Sequence, residues 1–334
     1  MKDLITGLTA LYGPSGHEQH VRRFIAEQIA SHVDSMEVDA MGNLHAIKNG
    51  TGGGQTVMLA AHMDEIGLMV SHVEDEGAIR FTNLGTLIPV RLVGARVVFA
   101  NGATGVLDIE DRTARPDSGP AFKNLYIDTG ASSRDECPVS VGDVGAFFGP
   151  AVGVGRRMMG KSMDNRAGCA AQIETLKRLS HTPHRLHAVF TVQEEVGIRG
   201  AATGAFKVAP DIAIALDVTP AGDVPGDKNH PIKLGGGPAI KIKDLGSITH
   251  PVIKEWMIET ARANHIPYQP EVMTIGYTDA RAMQLAKGGA AAGNISIPCR
   301  HVHSPSEVID LDDLENTVKL LAALLSEAAP PALR

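Results

Sequence analysis

The chain has 334 residues, 43% hydrophobic and 21% charged, a globular composition with enough apolar residues for one large domain or two moderate ones. Its formal net charge of −7 provides no basic surface for phosphate backbones, which argues against a nucleic-acid partner. No apolar run reaches the ~18 residues of a membrane span, the opening segment MKDLITGLTALYGPSGHEQH lacks the uninterrupted core of a signal peptide, and Cys137, Cys169 and Cys299 read as separate free thiols, so a cytoplasmic protein is expected.

Along the chain, residues 2–12 and 17–32 are predicted helical, the second from Val21, Phe24, Ile25 and Ile29 on one face after a Gly-Pro-Ser-Gly turn. Residues 36–48 alternate like a strand, and Val57–Ala61 is an apolar strand that runs into the segment HMDEIG. From 68 to 155 the pattern changes to short β-branched runs, Arg96–Ala100, Gly105–Ile109 and Leu125–Ile127, separated by turn residues, as in a small barrel or sandwich. Helices and strands alternate again after Gly160: a helix at Asn165–Leu179, buried strands at Leu186–Val192 and Ile212–Leu216, and helices at Pro251–Ala263 and Leu311–Leu325. The expected organisation is an α/β domain made of residues 1–67 and 156–334, interrupted by a β-rich insertion over 68–155.

Acids and histidines collect at the predicted strand ends. Residues two apart in a strand share a face, so His62 and Asp64 are neighbours, and a metal-bound imidazole commonly donates its other ring N–H to a carboxylate. Asp164 stands just before a helix, Glu194 and Glu195 end an apolar strand, Asp217 ends another, and Arg300–Pro305 carries His301 and His303, between which spacing alone does not choose. Ligands in open α/β sheets bind outside the carboxyl ends of the strands. Adjacent Glu194 and Glu195 can serve one site only if the backbone turns there, which Gly197 and Gly200 permit.

Other readings compete for the same residues. Gly155–Ser162 satisfies G-x-x-x-x-G-K-[ST] letter for letter, as in a nucleotide hydrolase, although two Met and two Arg fill a loop that should present bare N–H groups, and Asp164 would sit beside the phosphates. A glycoside hydrolase would need two carboxyls set across a sugar bond, and a non-catalytic metal-binding scaffold would leave Glu194 dispensable. His17-Glu18-Gln19-His20 is one residue short of the zincin H-E-x-x-H pattern and reads as an exposed helix start. His72, His181, His184 and His250 read as surface or turn residues.

HMDEIG, GKSMDNRAG, QEEVGIRGA, LDVTPAGDVPG and RHVHSP, in this order over nearly the whole chain, resemble the signature segments of the TET-type (family-42) cytosolic metallo-aminopeptidases, relatives of glutamyl and leucyl aminopeptidases. The resemblance implies an α/β/α sandwich of the zinc-peptidase type with an inserted small β-barrel-like domain. It also implies two divalent metal ions per subunit, Zn2+ first, with Co2+ or Mn2+ as alternatives, and a homo-oligomer, the tetrahedral dodecamer. By position His62, Asp164 and Asp217 would bind one ion and Asp164, Glu195 and His303 the other, with Asp164 bridging. Glu194 would be the general base acting on a metal-bridging water, and Asp64 its catalytic companion, supporting His62. Gly276–Ala280 resembles the family's G-G-T-D-A substrate loop, so Tyr277, Thr278 and Asp279 would contact the peptide, with Tyr277 where a glycine is usual. The implied activity is removal of N-terminal residues from peptides.

Overall fold

In the computed structural model, residues 1–110, 121–227 and 230–328 are described, and they build an eleven-stranded sheet flanked by helices together with a closed barrel. At the centre of the sheet lie four parallel strands, Arg185–Thr191, Thr56–His62, Ile212–Pro220 and Ala291–Arg300, in that spatial order. Strands of this kind are covered on both faces, which explains their unbroken apolar sequences. Val57, Leu59 and Ala61 enter one core with the helices Lys2–Ala10, Gln19–Ile29, Met163–Arg178, Pro251–Ala263 and Leu311–Ser326. Met58 and Ala60 point the other way, into a smaller core with the helices Arg199–Val208 and Ala280–Met283. The result is an α/β/α sandwich.

The barrel closes in the order Gly67–Val73, Ile79–Leu84, Leu125–Asp128, Thr104–Ile109, Arg96–Phe99 and Val144–Phe147, around Leu68, Val70, Ile79, Val97, Phe99, Leu107 and Ile127. It enters the chain five residues after the sheet strand Thr56–His62 ends, so the HMDEIG segment is the link between sheet and barrel. No helix among the described residues is long and apolar enough to cross a membrane.

Three expectations need correction. Residues 36–48 form a hairpin, Ser35–Val38 paired with Leu44–Lys48, because the Asp39 carboxylate accepts the backbone N–H groups of Met41, Gly42 and Asn43 and folds the chain back. Ala291–Arg300, not predicted, is a central strand: Gly293, Asn294 and Ser296 break its apolar pattern, yet Asn294 donates to the Thr278 hydroxyl and Ser296 to Asn294, so the buried amide is paired. His184 is buried, not on the surface, with its ring nitrogens 3.2 Å from the Gln55 N–H nitrogen and 2.9 Å from the Glu327 carbonyl oxygen.

The phosphate-loop pattern is also spent on architecture. Gly155 to Gly160 lies in a hairpin of Val152–Val154 and Arg157–Gly160, not in a strand-to-helix cradle. Lys161 follows it, buried, with its ammonium 2.8 and 2.6 Å from the two oxygens of Glu65. Ser162 donates to the same carboxylate, Gly13 donates its N–H at 3.1 Å, and the Arg166 guanidinium lies 3.3 Å away. Arg166 is itself fully buried and donates to the carbonyls of Met63, Leu8 and Gly13. One carboxylate therefore joins the first helix, the HMDEIG link and the Lys161–Arg166 turn. Removing the charge at the centre of a buried ion cluster leaves its cations uncompensated, so Glu65→Gln should lower the unfolding free energy by about 3–5 kcal/mol. Urea denaturation would read this as a lower midpoint; an unchanged midpoint would show that the cluster contributes nothing.

Candidate metal centre

Each donor reaches the centre by a different piece of backbone. His62 is the last residue of its strand, and Asp217 lies two residues beyond Ala215, which pairs with Ala60 across the neighbouring parallel strand. By the two-residue alternation both side chains leave the same face at the same level. Glu194 and Glu195 follow Thr191, the end of the next strand, and His303 follows Arg300. Asp164 opens the helix Met163–Arg178 without helical geometry of its own, at φ −76° and ψ 105°. All five elements end at one edge of the sheet.

Ser162, Gln193, Ile198, His301 and His303 hold left-handed conformations at φ between +55° and +61°, a concentration of non-glycine residues there that marks over-determined, functional backbone. The turn at Gln193 is what lets consecutive glutamates face one centre. In the His301–His303 turn the two rings part company: His301 is exposed, and His303 points inward.

Asp164 sits between two imidazoles. Its Oδ1 lies 3.2 Å from Nε2 of His62 and its Oδ2 lies 3.4 Å from Nε2 of His303. Asp217 Oδ1 is 3.7 Å from the same His62 nitrogen, and Glu195 Oε2 is 3.4 Å from the His303 nitrogen. The first separation is at the limit of a hydrogen bond, and the other three are longer than good ones. They match the edges of a coordination shell, since two donors each about 2.1 Å from a common ion at a tetrahedral angle lie ~3.4 Å apart. Ligand atoms of His62, Asp164 and Glu195 fall within 4.8 Å of one another.

Unpaired oxygens add to the case. Asp164 Oδ1, Glu194 Oε1 and Glu195 Oε1 are buried and accept no hydrogen bond from the described residues, a costly state unless something else neutralises them. Burial pushes Glu195 up to about 8, with Asp164 adding to it, and burial raises Glu194 and Asp217 as well. Burial works against a charged His303, but the carboxylates of Glu195 and Asp164 overcome it and lift the imidazole to about 10. His62 is raised for the same reason by Asp164, Asp217 and Asp64, again against its burial. Asp164 runs opposite to the other acids: burial disfavours its charge, yet the two histidines hold it well below the usual carboxylate range. His62, Asp164 and Glu195 thus form a group that could hold a metal cation. Its all nitrogen and oxygen donor set suits zinc, cobalt or manganese.

The residues behind the donors are as closely arranged. Asp64, fully buried, uses its carboxylate on the backbone: Oδ1 accepts the N–H of Glu194 at 3.0 Å, and Oδ2 accepts the N–H of Glu195 at 3.2 Å and the Ser15 hydroxyl at 2.6 Å. It is the Asp64 backbone carbonyl, 3.1 Å from His62 Nδ1, that takes the ring hydrogen bond, with the carboxylate 3.5 Å off. Glu307, which no sequence signal singled out, accepts the N–H groups of Asp164 and His303, both at 2.9 Å, and so fixes the two ligand-bearing turns against each other. Glu18 is buried too, contrary to the expected exposed helix start, and its Oε1 accepts from Gly16 and Gln193 at 2.7 and 3.2 Å. Burial and the nearby Asp64 charge push it up to about 7.

Of the Gly276–Ala280 loop, Thr278 and Asp279 are buried and Tyr277 is 44% exposed. Asp279 accepts the Thr191 hydroxyl at 2.6 Å through Oδ2, leaving buried Oδ1 unpaired, and burial with the charges of Asp217 and Asp64 pushes it up to about 7. Gly276 supplies the left-handed residue at φ +68°, so the tyrosine in place of glycine does not have to, and its ring lies 4.8 Å from the Arg281 guanidinium.

The chain is similar to known proteins over most of its length. The M42 glutamyl aminopeptidase family matches residues 42–320. The lysyl aminopeptidase of Pyrococcus furiosus is 34% identical over 334 residues, covering 95% of this chain and 94% of its own. Among solved structures, an aminopeptidase from the archaeon Desulfurococcus kamchatkensis superposes with a TM-score of 0.95 at 40% identity, covering 99% of this chain and 96% of that one. The TET1 peptidase of Pyrococcus horikoshii, described as assembling into a tetrahedron or a large octahedral shell, gives 0.86 at 32% identity over 98% and 99% of the two chains. Matched along most of its length by the family and end to end by these relatives, the chain belongs to the M42 aminopeptidase family.

Proposed function

We propose that the protein is a dinuclear metal-dependent aminopeptidase that removes N-terminal residues from peptides in the cytoplasm. The observation that carries this reading is Asp164 held between His62 and His303 with the unpaired carboxylate oxygens of Glu194 and Glu195 beside it. His62, Asp164 and Asp217 would hold one ion and Asp164, Glu195 and His303 the other, most readily Zn2+, with Co2+ and Mn2+ as alternatives. When bound, such ions polarise a carbonyl and lower the pKa of water from 15.7 to about 7.

The rest is done by the chain. Glu194 takes the proton of the attacking water and delivers it to the leaving amine; its burial raises its proton affinity, the direction a general base at neutral pH needs. Asp64 keeps Glu194 and Glu195 aimed by holding their backbone N–H groups. Thr278 and Asp279, both buried, and the exposed Tyr277 would contact the peptide. We further assign residues 1–67 and 156–334 to the catalytic domain and 68–155 to the insertion, and infer a homo-oligomer, the tetrahedral dodecamer, from the resemblance to the TET1 peptidase, which can assemble into a tetrahedron or a large octahedral shell.

Glu194→Gln should retain both ions and lower kcat by ~10²–10⁴; near-normal turnover on a leucyl or glutamyl peptide would remove Glu194 from its role. Free peptides should be cleaved, their N-acetylated counterparts spared, and chelator should abolish the activity until metal is restored. Equal cleavage of blocked and free peptides would mean an endopeptidase, and chelator-resistant cleavage would remove the metal. Because His62 and His303 bind protons more tightly than free imidazole, an ion entering at pH 7 must displace them. Affinity for Zn2+ should therefore rise with pH, and calorimetry in buffers of different ionisation enthalpy should record proton release; uptake without release would contradict the assigned ligands.

A further inference from the structure

The N-terminal loop is joined to the centre at several points that no metal ligand requires. Gly13 exchanges hydrogen bonds with Glu65, through its carbonyl to the Glu65 N–H and through its N–H to the Glu65 carboxylate, both at 3.1 Å. Pro14 forms a parallel bridge to Glu65, and Ser15 donates to Asp64. Three residues on, Glu18 caps the helix Gln19–Ile29, but its side chain makes no capping bond to it. The carboxylate turns instead to Gly16 and, across 175 residues of sequence, to the N–H of Gln193, and is only 4% exposed.

Gln193 is the residue at φ +55° immediately before the two glutamates. A side chain other than glycine is held in the left-handed region only where its surroundings over-determine it. Here three successive N–H groups, of Gln193, Glu194 and Glu195, end on two buried carboxylates, Glu18 and Asp64. Carboxylates that accept backbone N–H groups make the stronger, charge-assisted kind of hydrogen bond. Bringing two such acids together carries a repulsive cost that a simple helix start would avoid.

We propose that Glu18 is a positioning residue for Glu194: with Asp64 it forms a two-carboxylate clamp on the Gln193–Glu195 backbone that sets the direction of the base. The inference rests on the reading of Glu194 as general base. It gives the H-E-Q-H segment a role in which Glu18, and neither histidine, is the working residue. Losing Glu18 would let the turn relax at Gln193, ahead of Glu194, while Glu195 keeps its bond to Asp64 and the Asp164 and His303 turns keep theirs to Glu307.

The test compares Glu18→Ala with Glu18→Gln, which keeps an acceptor oxygen. A misplacement of ~1 Å at a catalytic group costs ~10²-fold, so Glu18→Ala should lower kcat by about 10–100-fold, with KM and Zn2+ stoichiometry near those of the wild type. Glu18→Gln should lose less, staying within about fivefold of the wild type, since a neutral acceptor keeps the bond at roughly half the strength of a charged one. Hydrogen exchange followed by mass spectrometry should show the amides of 193–195 exchanging roughly tenfold or more faster in Glu18→Ala, with the rest of the sheet unchanged. Should the alanine variant fail to fold, Glu18→Asp, which draws the carboxylate back by one methylene, carries the same expectation. Wild-type kcat and exchange in the alanine or aspartate variant would overturn the clamp, as would equal loss of ions and activity in the alanine and glutamine variants. An inactive wild type would instead overturn the aminopeptidase reading, and the exchange measurement would still decide the clamp.

Discussion

The structure turns on the burial of too much negative charge in one place. Asp164, Glu194, Glu195 and Asp217 converge on a centre that contains only two imidazoles, and each is under 10% exposed or has its reactive oxygen shielded from water. Desolvating one carboxylate without compensation costs several kcal/mol, and desolvating four together is not sustainable by hydrogen bonds of this number and length. Everything around the centre answers that constraint. Its imidazoles are driven toward the charged form, its unpaired oxygens all face inward, and the backbone N–H groups that could have neutralised Asp164, Glu194 or Glu195 are assigned to supporting acids instead.

Those supporting acids show how adjacent residues with the same charge are separated in function by their surroundings. Asp64 and Glu65 are neighbours in sequence and both fully buried. Glu65 meets Lys161 and Arg166 and is neutralised inside the protein, so it acts as a fastener between segments. Asp64 meets no cationic lysine or arginine; its partners are two backbone N–H groups, a hydroxyl and the nearby histidine ring. The first acid is satisfied by an ammonium and a guanidinium, the second by the His62 ring together with a hydroxyl and backbone dipoles, which keeps the second at the centre. The same division explains why a lysine in a perfect phosphate-loop pattern has no ligand to bind: its charge is already paired.

How much of this could be read from the sequence depended on how far each residue's role was encoded locally. The central strands Thr56–His62 and Ile212–Pro220 were legible because burial on both faces demands continuous apolar runs, and an acid or histidine at the end of such a run has few other reasons to be there. Ala291–Arg300 was not, since its Asn294 and Ser296 are buried through partners on other segments that no local pattern predicts. Glu307 and Glu18 were missed for a related reason. Each works by accepting N–H groups from residues far away or in irregular turns, and an isolated acid near a helix start or a short strand has the same local signature whether it is solvated or buried. The hairpin at Asp39 was missed because a single strand was fitted across its turn, although the Asp-x-x-Gly-Asn sequence there carries the turn-forming residues.

The barrel, read from its turns as a separate module, is part of the wall of the centre. Its second strand ends at Leu84, and the next residue, Gly85 at φ +80°, lies against the ligand-bearing turn. A Cβ at that position would stand 2.9 Å from Glu195 Oε2 and 2.9 Å from Ile66 Cγ2, so glycine is required both by its backbone angle and by the closeness of the carboxylate. Arg91, in the turn that follows, donates to the Val302 carbonyl at 3.1 Å, next to His303. The barrel thus reaches both Glu195 and the backbone next to His303, which follow different central strands of the sheet. An insertion placed directly after His62 is well positioned for this, since the link that carries Asp64 and Glu65 holds the start of the barrel at the sheet edge, and the loop after its second strand returns to the same edge. The barrel therefore limits how far the Glu195 carboxylate can turn, which makes the geometry of the centre a joint property of both modules.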